Sequence, residues 1–108
     1  MDKKLLKGAA TTLILSLLDE RPMHGYELTQ SIKERTQGIF QFSEGTIYPI
    51  LYGLEDKRQI RGVWEVSDST RRKKIYRLTS LGKKTLKIRL EQWSSFKKGL
   101  ELVIGESS

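Results

Sequence analysis

The chain has 108 residues, enough for one small domain with a modest hydrophobic core. It contains no cysteine, which excludes disulfides, thiolate metal sites and thiol catalysis. Its longest apolar stretch, residues 12–18, is too short to span a bilayer, and no small-residue cleavage site follows it. We therefore expect a cytoplasmic protein without a membrane partner.

The net charge of +7 is distributed unevenly along the chain. Residues 1–56 carry a net charge of −2, residues 57–98 carry +11, and the last ten residues carry −2. Such segregation indicates a polyanionic partner, because a basic segment attracts surfaces rich in phosphate. A solvated basic surface without a partner is the alternative, and charge alone does not decide between the two.

Two amphipathic helices are predicted at the start of the chain. Apolar residues at helical spacing over residues 5–18 predict the first, which residues 19–22 end. The second begins near His24 and ends before Gly38. Its inward side chains are expected to be Tyr26, Leu28 and Ile32.

A third helix is predicted after Ser43, which is a favourable N-cap residue. Its core stripe consists of Ile47, Ile50, Leu51 and Leu54. Pro49 lies beyond the first turn and removes one backbone hydrogen bond, so we expect the start of this helix to be distorted.

A hairpin and a long helix are predicted in the second half. Residues 60–66 alternate with Ile60, Trp64 and Val66 on the inward side, residues 67–70 form a polar turn, and residues 74–78 resume the alternation with Tyr76 and Leu78 inward. Thr79 can cap a last helix, and residues 105–108 are expected to fray. The apolar residues of that helix recur every three or four positions: Leu86, Leu90, Trp93, Phe96, Leu100 and Val103.

The predicted order of helix, helix, helix, hairpin, helix is that of a winged helix-turn-helix. The fold class is therefore α+β, mostly α, with three helices and a two-stranded wing followed by a long C-terminal dimerisation helix. We expect residues 1–78 to form a DNA-binding domain and residues 79–108 to form the dimerisation helix, within a single structural unit.

The third helix of such a fold reads the major groove of DNA with its N-terminal residues. The side opposite its core stripe presents the candidate DNA-binding residues Ser43, Gly45, Thr46, Tyr48 and Tyr52. Just past the hairpin tip stand four consecutive cations, Arg71, Arg72, Lys73 and Lys74. Alternating strand geometry prevents all four from sharing a face, but they can grip phosphates or enter an A·T-rich minor groove. A solvated turn is the alternative explanation of this run.

Three segments together resemble the signature of the PadR family of bacterial regulators. They are Pro22-Met23-His24-Gly25-Tyr26-Glu27-Leu28, then Ser43-Glu44-Gly45-Thr46-Ile47-Tyr48-Pro49-Ile50-Leu51, then Arg71-Arg72-Lys73-Lys74-Ile75-Tyr76-Arg77-Leu78-Thr79. They occur in order and at the right spacing, and Leu81-Gly82 follows. The resemblance covers nearly the whole chain, includes a proline in the reading helix, and fits the compact branch of the family with one C-terminal helix.

The resemblance implies a homodimeric regulator of double-stranded DNA, usually a repressor, that binds an inverted-repeat operator. It also implies release by a small, often aromatic, effector or under stress. By the same resemblance, Ser43, Gly45, Thr46 and Tyr48 fall on the recognition segment, and residues 71–74 fall on the wing. Tyr26 matches the family's His-Gly-Tyr-Glu-Leu segment, where either core packing or a DNA contact is open.

The apolar stripe of the last helix is too long for a small core alone, so we predict that a second copy covers it. Trp93, in the middle of the stripe, either fills this interface or stacks on a planar ligand, as a tryptophan at this place does in some compact family members. Gly8 and Thr12 of the first helix could leave room beside it. Lys97, one turn beyond Trp93, would disfavour a cationic ligand and tolerate an anionic one.

Three other classes of protein fit the sequence less well than a DNA-binding regulator. An enzyme is disfavoured because His24 is the sole histidine and no phosphate loop or metal-ligand spacing is present, so we expect no cofactor. The acid pairs Asp19-Glu20 and Glu55-Asp56 are expected to face solvent near helix ends. An RNA-binding protein would expose aromatic residues, whereas most of them fall on predicted apolar faces. A winged helix that only binds protein is disfavoured by the basic wing.

Overall fold

A computed structural model describes residues 1–66 and 72–105 of the chain. The elements are α1 (Lys3–Glu20), β1 (Met23–His24), α2 (Gly25–Arg35), α3 (Glu44–Asp56), β2 (Ile60–Val66), β3 (Arg72–Leu78) and α4 (Ser80–Ile104). The fold is mostly helical with one antiparallel sheet, which confirms the predicted winged helix-turn-helix with a long last helix. The predicted turn at residues 67–70, Arg71 and the terminal residues 106–108 lie outside the described residues.

Local side-chain hydrogen bonds define where three of the helices begin. Asp2 accepts from the backbone of Lys4 at 2.8 Å and so caps α1. His24 accepts from the backbone N–H of Glu27 at 3.2 Å, while the Glu27 carboxylate accepts from the His24 N–H, which is a reciprocal capping box. Thr79 accepts from the Gly82 N–H at 3.0 Å, so its predicted role as the cap of α4 is confirmed.

The start of α3 differs from these three. Ser43 occupies the N-cap position as predicted, but its side chain makes no capping bond within the described part of the chain. Its Oγ instead lies 3.2 Å from Oγ1 of Thr46. Pro49 is accommodated in the second turn, and the helix continues without a break to Asp56.

The sheet has the order β1-β3-β2 and carries the wing. In β2 and β3, Ile60 pairs with Leu78 and Val66 pairs with Arg72, in an antiparallel register without offset between these ends. The two-residue β1 was not predicted from the sequence, because two residues are too few to show a period. It pairs Met23 with Tyr76 and so ties the base of the wing to the helical body.

The core lies among the three N-terminal helices, the base of the wing and the first turns of α4. Its buried members include Ile14, Leu15, Leu28, Ile32, Ile47, Leu51, Leu54, Ile60, Tyr76 and Leu86. The predicted core stripe of α3 is thereby confirmed, although Ile50 is only partly buried, and the stripe of α1 is confirmed over residues 10–18. At the start of the α1 stripe Leu5 is exposed instead, because the first turns of α1 lie beyond the core. Leu78 likewise packs against the core while remaining partly exposed.

Three residues predicted to point inward are exposed instead. Tyr26 is 58% exposed because it stands in the first turn of α2, where its ring stacks on His24 rather than on the core. Trp64 and Val66 are 55% and 75% exposed. They do follow the strand alternation, but the distal wing extends beyond the helical body, so no core lies opposite them.

The second half of α4 also projects from the body. This helix of 25 residues is about 37 Å long, and the molecule measures 55 × 29 × 21 Å. Leu86 was predicted to be covered by a second copy, but it is buried in the protomer's own core because the start of α4 packs against the helical body. The later residues of the apolar stripe are exposed, namely Leu90, Phe96, Leu100 and Val103.

Candidate nucleic-acid interface

The first turn of α3 is open and polar. Ser43 and Gly45 are exposed, Thr46 is half-buried, and the nearest side-chain atom to a Cβ at Gly45 would be Ser43 Oγ at 3.8 Å. The N–H groups of Thr46 and Ile47 donate to the Ser43 carbonyl, but no described side chain caps this helix, so the N–H groups of Glu44 and Gly45 remain available. An uncapped helix N-terminus with small residues around it is suited to binding a phosphate, since the N–H groups and the helix dipole both favour an anion.

Tyr48 and Tyr52 stand one turn apart along the same side of α3, with ring centroids 6.1 Å apart. Tyr52 is exposed, whereas Tyr48 is half-buried and packs on the start of α2. A Cβ at Gly25 would lie 2.6 Å from the Tyr48 hydroxyl oxygen, so Gly25 provides the space for this ring. Burial, and to a smaller extent the charge of Glu44, raise the pKa of Tyr48, which keeps its hydroxyl a hydrogen-bond donor.

The described cations of the wing occupy both faces of the hairpin. Arg72 and Lys74 share one face with Trp64, and Lys73 lies opposite Glu65 on the other. The Arg72 guanidinium carbon is 5.3 Å from the centroid of the Trp64 ring. Arg72 and Lys73 are exposed, so both side chains are accessible to a polyanion.

Lys74 is placed differently from its two neighbours. Its Nζ donates to Oε1 of Glu55 in α3 at 2.8 Å, and the two side chains are only 20% and 25% exposed. The ammonium also lies 5.7 Å from the ring centroids of Tyr52 and Trp64 and 5.5 Å from that of Tyr76. Lys74 is therefore held between the wing and α3.

α3 and the wing together enclose a groove of about 660 Å³. Its walls are aromatic and basic, and they are formed by His24, Gly25, Tyr26, Glu44, Tyr48, Tyr52, Trp64, Arg72, Lys73, Lys74 and Tyr76. The predicted reading residues Tyr48 and Tyr52 and the predicted wing residues 72–74 are thus brought together. Ser43, Gly45 and Thr46 stand at the adjoining end of α3.

Sequence reasoning missed the residues that join the wing to α3. Glu55 was expected to face solvent but pairs with Lys74, because α3 runs beneath the wing at this turn. Gly62 was not singled out, yet a Cβ there would collide with Lys74 Cε and lie 2.9 Å from Glu55 Oε2. The alternating strand pattern contained part of the signal, since it places Gly62 on the same face as Trp64.

Three of the four predicted ligand residues, Gly8, Thr12 and Trp93, lie where α4 crosses α1. Trp93 Nε1 donates to Oγ1 of Thr12 at 2.9 Å, and the Trp93 and Phe96 rings make an edge contact with centroids 5.6 Å apart. A cavity of about 260 Å³ is lined by Gly8, Arg89, Gln92, Trp93 and Phe96. Lys97 is exposed and does not line this cavity.

In the described residues 1–66 and 72–105, no group of three histidine, aspartate or glutamate residues could hold a metal ion. None of the helices in these two ranges has the length and hydropathy that a transmembrane helix needs.

Comparison with known proteins agrees with this geometry. The family model described as the transcriptional regulator PadR-like family matches residues 14–88. An uncharacterized protein of Lysinibacillus sphaericus is 37% identical over 99 residues, which cover 91% of this chain and 90% of the relative. The transcriptional regulator YqjI of Escherichia coli is 34% identical over 85 residues, and the match covers 79% of this chain but only 39% of that regulator.

Solved structures show the same fold. A transcriptional regulator from Clostridium thermocellum superposes with a TM-score of 0.85 at 30% identity, covering 94% of this chain and 95% of the other. Bacillus subtilis PadR, solved in complex with operator DNA, superposes with a TM-score of 0.69 at 31% identity. That match covers 74% of this chain and 45% of the PadR chain.

Proposed function

Because the chain belongs to the PadR-like family of transcriptional regulators, we propose that it binds a specific inverted-repeat operator as a homodimer and represses transcription in the cytoplasm. The single observation that carries the proposal is the groove in which the reading side of α3 and the cations of the wing come together. A duplex lying along this side would meet the helix N-terminus and the wing at once.

The two parts of the surface have different roles in this proposal. Ser43, Gly45, Thr46, Tyr48 and Tyr52 of the reading helix approach base edges and the adjoining phosphates. Arg72 and Lys73, together with Arg71 outside the described residues, neutralise phosphates along the wing. Lys74 does not belong to this phosphate-contacting set, because Glu55 already neutralises it.

A second copy of the chain supplies the symmetry that an inverted repeat requires. Val103 is 88% exposed at the end of an apolar stripe in which the protomer also leaves Leu90, Phe96 and Leu100 exposed. Soluble domains rarely leave such a stripe open, and pairing it with the same stripe of a partner would bury it. The two reading helices would then stand roughly 34 Å apart, one turn of DNA.

The experiment that tests the function is a titration over a series of salt concentrations. Purified protein is added to labelled duplex from the region upstream of its own gene, with a scrambled duplex of equal composition alongside. We expect a preference of roughly a thousandfold or more for the operator, with two protomers per site. Equal weak binding to both duplexes, repeated with a library of random duplexes, would contradict the proposal.

Single-stranded RNA is the second candidate partner, and one observation favours it. Tyr26, Tyr52 and Trp64 are exposed on the same groove, whereas the sequence predicted Tyr26 and Trp64 to point inward. Exposed aromatic rings beside cations are typical of proteins that stack on unpaired bases. Competition between operator duplex and single-stranded RNA separates the two, and displacement of the duplex by equimolar RNA would favour the RNA partner.

Release by a small aromatic effector is the further part of the proposal. The ligand would contact Trp93 beside Gly8 in the cavity between α1 and α4, and Arg89, which lines this cavity, would favour an anion. Such a ligand would alter the packing of the dimer helices and thereby the spacing of the reading helices. Planar aromatic acids should quench Trp93 fluorescence and weaken operator binding, and Trp93→Phe should abolish the quenching. Unchanged quenching in that variant would contradict the proposed site.

A further inference from the structure

We propose that the ion pair between Glu55 and Lys74 positions the wing against the reading helix and thereby determines DNA specificity, although neither side chain touches DNA. The inference rests on the proposed function and adds two positioning residues to it. It also reverses the expectation that a basic wing residue acts by contacting phosphate.

The pair joins two elements that the chain does not hold together at this point. Glu55 lies in the last turn of α3 and Lys74 in β3, nineteen residues later. Their 2.8 Å contact is a charge-assisted hydrogen bond, and both side chains are three-quarters or more buried. Such a bond is stronger than one between neutral groups and fixes geometry as well as distance.

The outer part of the wing depends on this ion pair, because the contacts that attach the wing to the core end at Tyr76. Tyr76 is buried in the core and pairs with Met23 of β1, but beyond it both strands leave the helical body. Trp64 and Val66 are exposed, so packing against the core does not fix the outer end of β2. A two-stranded ribbon twists readily when no further strand or helix supports it.

The ion pair also influences the orientation of Arg72, which is exposed, through the ring of Trp64. Trp64 lies directly opposite Lys74 in the sheet, and the ammonium is 5.7 Å from its ring centroid. The guanidinium of Arg72 stands 5.3 Å from the same ring. Displacing Lys74 would therefore free Trp64 and, with it, the direction of Arg72.

The side chains around the ion pair hold it in place. The ammonium lies within cation–π distance of three rings, those of Tyr52, Trp64 and Tyr76. Gly62 leaves the space that the pair fills, since a Cβ there would lie 2.9 Å from Glu55 Oε2. If Lys74 served to bind phosphate, a carboxylate beside it would weaken that binding by neutralising its charge.

Glu55→Gln separates this inference from simple electrostatics, because the two expectations have opposite signs. If charge near DNA were all that mattered, removing a carboxylate would tighten binding to any duplex. If the pair positions the wing, operator affinity should fall roughly tenfold while affinity for scrambled duplex does not fall. Asp56→Asn is the matched control, because it removes the same charge from the adjacent exposed residue of α3.

Lys74→Met tests the other partner, with Lys73→Met as its control. Lys73 is exposed, so its loss should lower the slope of log affinity against log salt by about 0.9. Lys74→Met should leave that slope unchanged and reduce the preference for operator. The double variant Glu55→Gln/Lys74→Met should lose no more preference than either single variant.

Amide hydrogen exchange without DNA supplies a measurement that does not depend on the proposed function. Exchange in β2 and β3 should be faster in Glu55→Gln than in Asp56→Asn, with equal exchange in α1. Equal wing exchange, tighter operator binding by Glu55→Gln, or a lowered salt slope for Lys74→Met would each overturn the inference. A wild-type protein without operator preference would instead overturn the proposed function, and the exchange comparison would still decide whether the pair holds the wing.

Discussion

Trp93 in α4 donates a hydrogen bond from its indole Nε1 to Oγ1 of Thr12 in α1, at 2.9 Å. The two residues are 81 positions apart, so this contact joins the last helix to the first. Thr12 is buried, and its hydroxyl is a polar group on the otherwise apolar buried face of α1. The hydrogen bond explains why a threonine can stand there without a large desolvation cost.

Thr12→Val should therefore reduce the free energy of unfolding by about 1–2 kcal/mol, because it leaves the indole N–H of Trp93 without its acceptor in a half-buried place. The shape of the side chain is nearly kept, so packing contributes little. Thr11→Val, one residue earlier and partly exposed, is the control and should change stability by less than about 0.5 kcal/mol. Urea unfolding followed by circular dichroism measures both, and equal effects would show that the hydrogen bond adds nothing.

Two glycines of α4 should respond to alanine in opposite ways. A Cβ at Gly82 would collide with the carbonyl oxygen of Gln59, a backbone atom that also accepts from the Thr79 N–H and cannot move cheaply. Gly82→Ala should destabilise the protein by about 2 kcal/mol or more, through overpacking. At Gly99 no atom of the described residues lies within 4 Å of the added Cβ, so Gly99→Ala should stabilise by about 0.5–1 kcal/mol.

Thermal unfolding of the two alanine variants, at equal protein concentration, measures this contrast. Since Gly99 lies on the projecting half of α4, its variant also reports whether that half is helical in solution. A Gly82→Ala protein as stable as the wild type would mean that α4 does not start against Gln59.

The hydroxyl of Tyr76 should make stability fall at alkaline pH. Burial, then the charge of Glu55, raise the pKa of Tyr76 to about 12 from its ordinary value near 10. The folded protein therefore keeps its proton where the unfolded chain has lost it, so stability is complete below pH 10 and declines between about pH 10 and 12. The slope due to this group is at most about 1.4 kcal/mol per pH unit.

Tyr76→Phe should remove that slope, which is measured by urea unfolding at pH 9, 10 and 11. Tyr26→Phe is the control, because that tyrosine is exposed. At pH 7 the Tyr76→Phe protein should be more stable by about 1 kcal/mol, since the buried hydroxyl has no hydrogen-bond partner among the described residues. The same alkaline loss in Tyr76→Phe would show that the Tyr76 hydroxyl is not the source of the slope.

Glu27, in the capping box that starts α2, should make stability fall at acid pH and not at alkaline pH. Burial alone would raise the pKa of Glu27, but the backbone N–H of His24 and the guanidinium of Arg21 outweigh it and lower that pKa. The folded state thus favours the carboxylate, and the stability it contributes is present above the unfolded pKa and lost as pH falls below it. Glu27→Gln should lessen the loss of stability between pH 5 and 3, and Glu34→Gln, on an exposed residue, should not.

The sequence predicted those parts of the molecule where local pattern and packing agree. Nearby residues determine the stripe of α3, the part of the α1 stripe over residues 10–18 and the cap at Thr79, and these predictions were confirmed. Trp64 shows where this reasoning fails, because alternation identifies a face of the hairpin but not whether anything lies opposite it. Glu55 shows the same limit, since its partner is nineteen residues away and only the path of the wing over α3 brings them together.

The proposed homodimer would bury the apolar stripe of α4. Leu100 lies on this stripe and is exposed in the protomer, so Leu100→Lys should cost the protomer little by itself. In a dimer it would place two like charges in an apolar contact, which disfavours association. Ser95→Lys adds the same side chain on the opposite side of α4 and is the matched control. Sedimentation equilibrium should show a dimer for the wild type and Ser95→Lys and a monomer for Leu100→Lys. Leu100→Lys should bind the operator more weakly because it no longer dimerises, whereas its affinity per protomer for scrambled duplex should be unchanged. A Leu100→Lys protein that remains dimeric would place the interface elsewhere, and a monomeric wild type would remove the symmetric operator from the proposal.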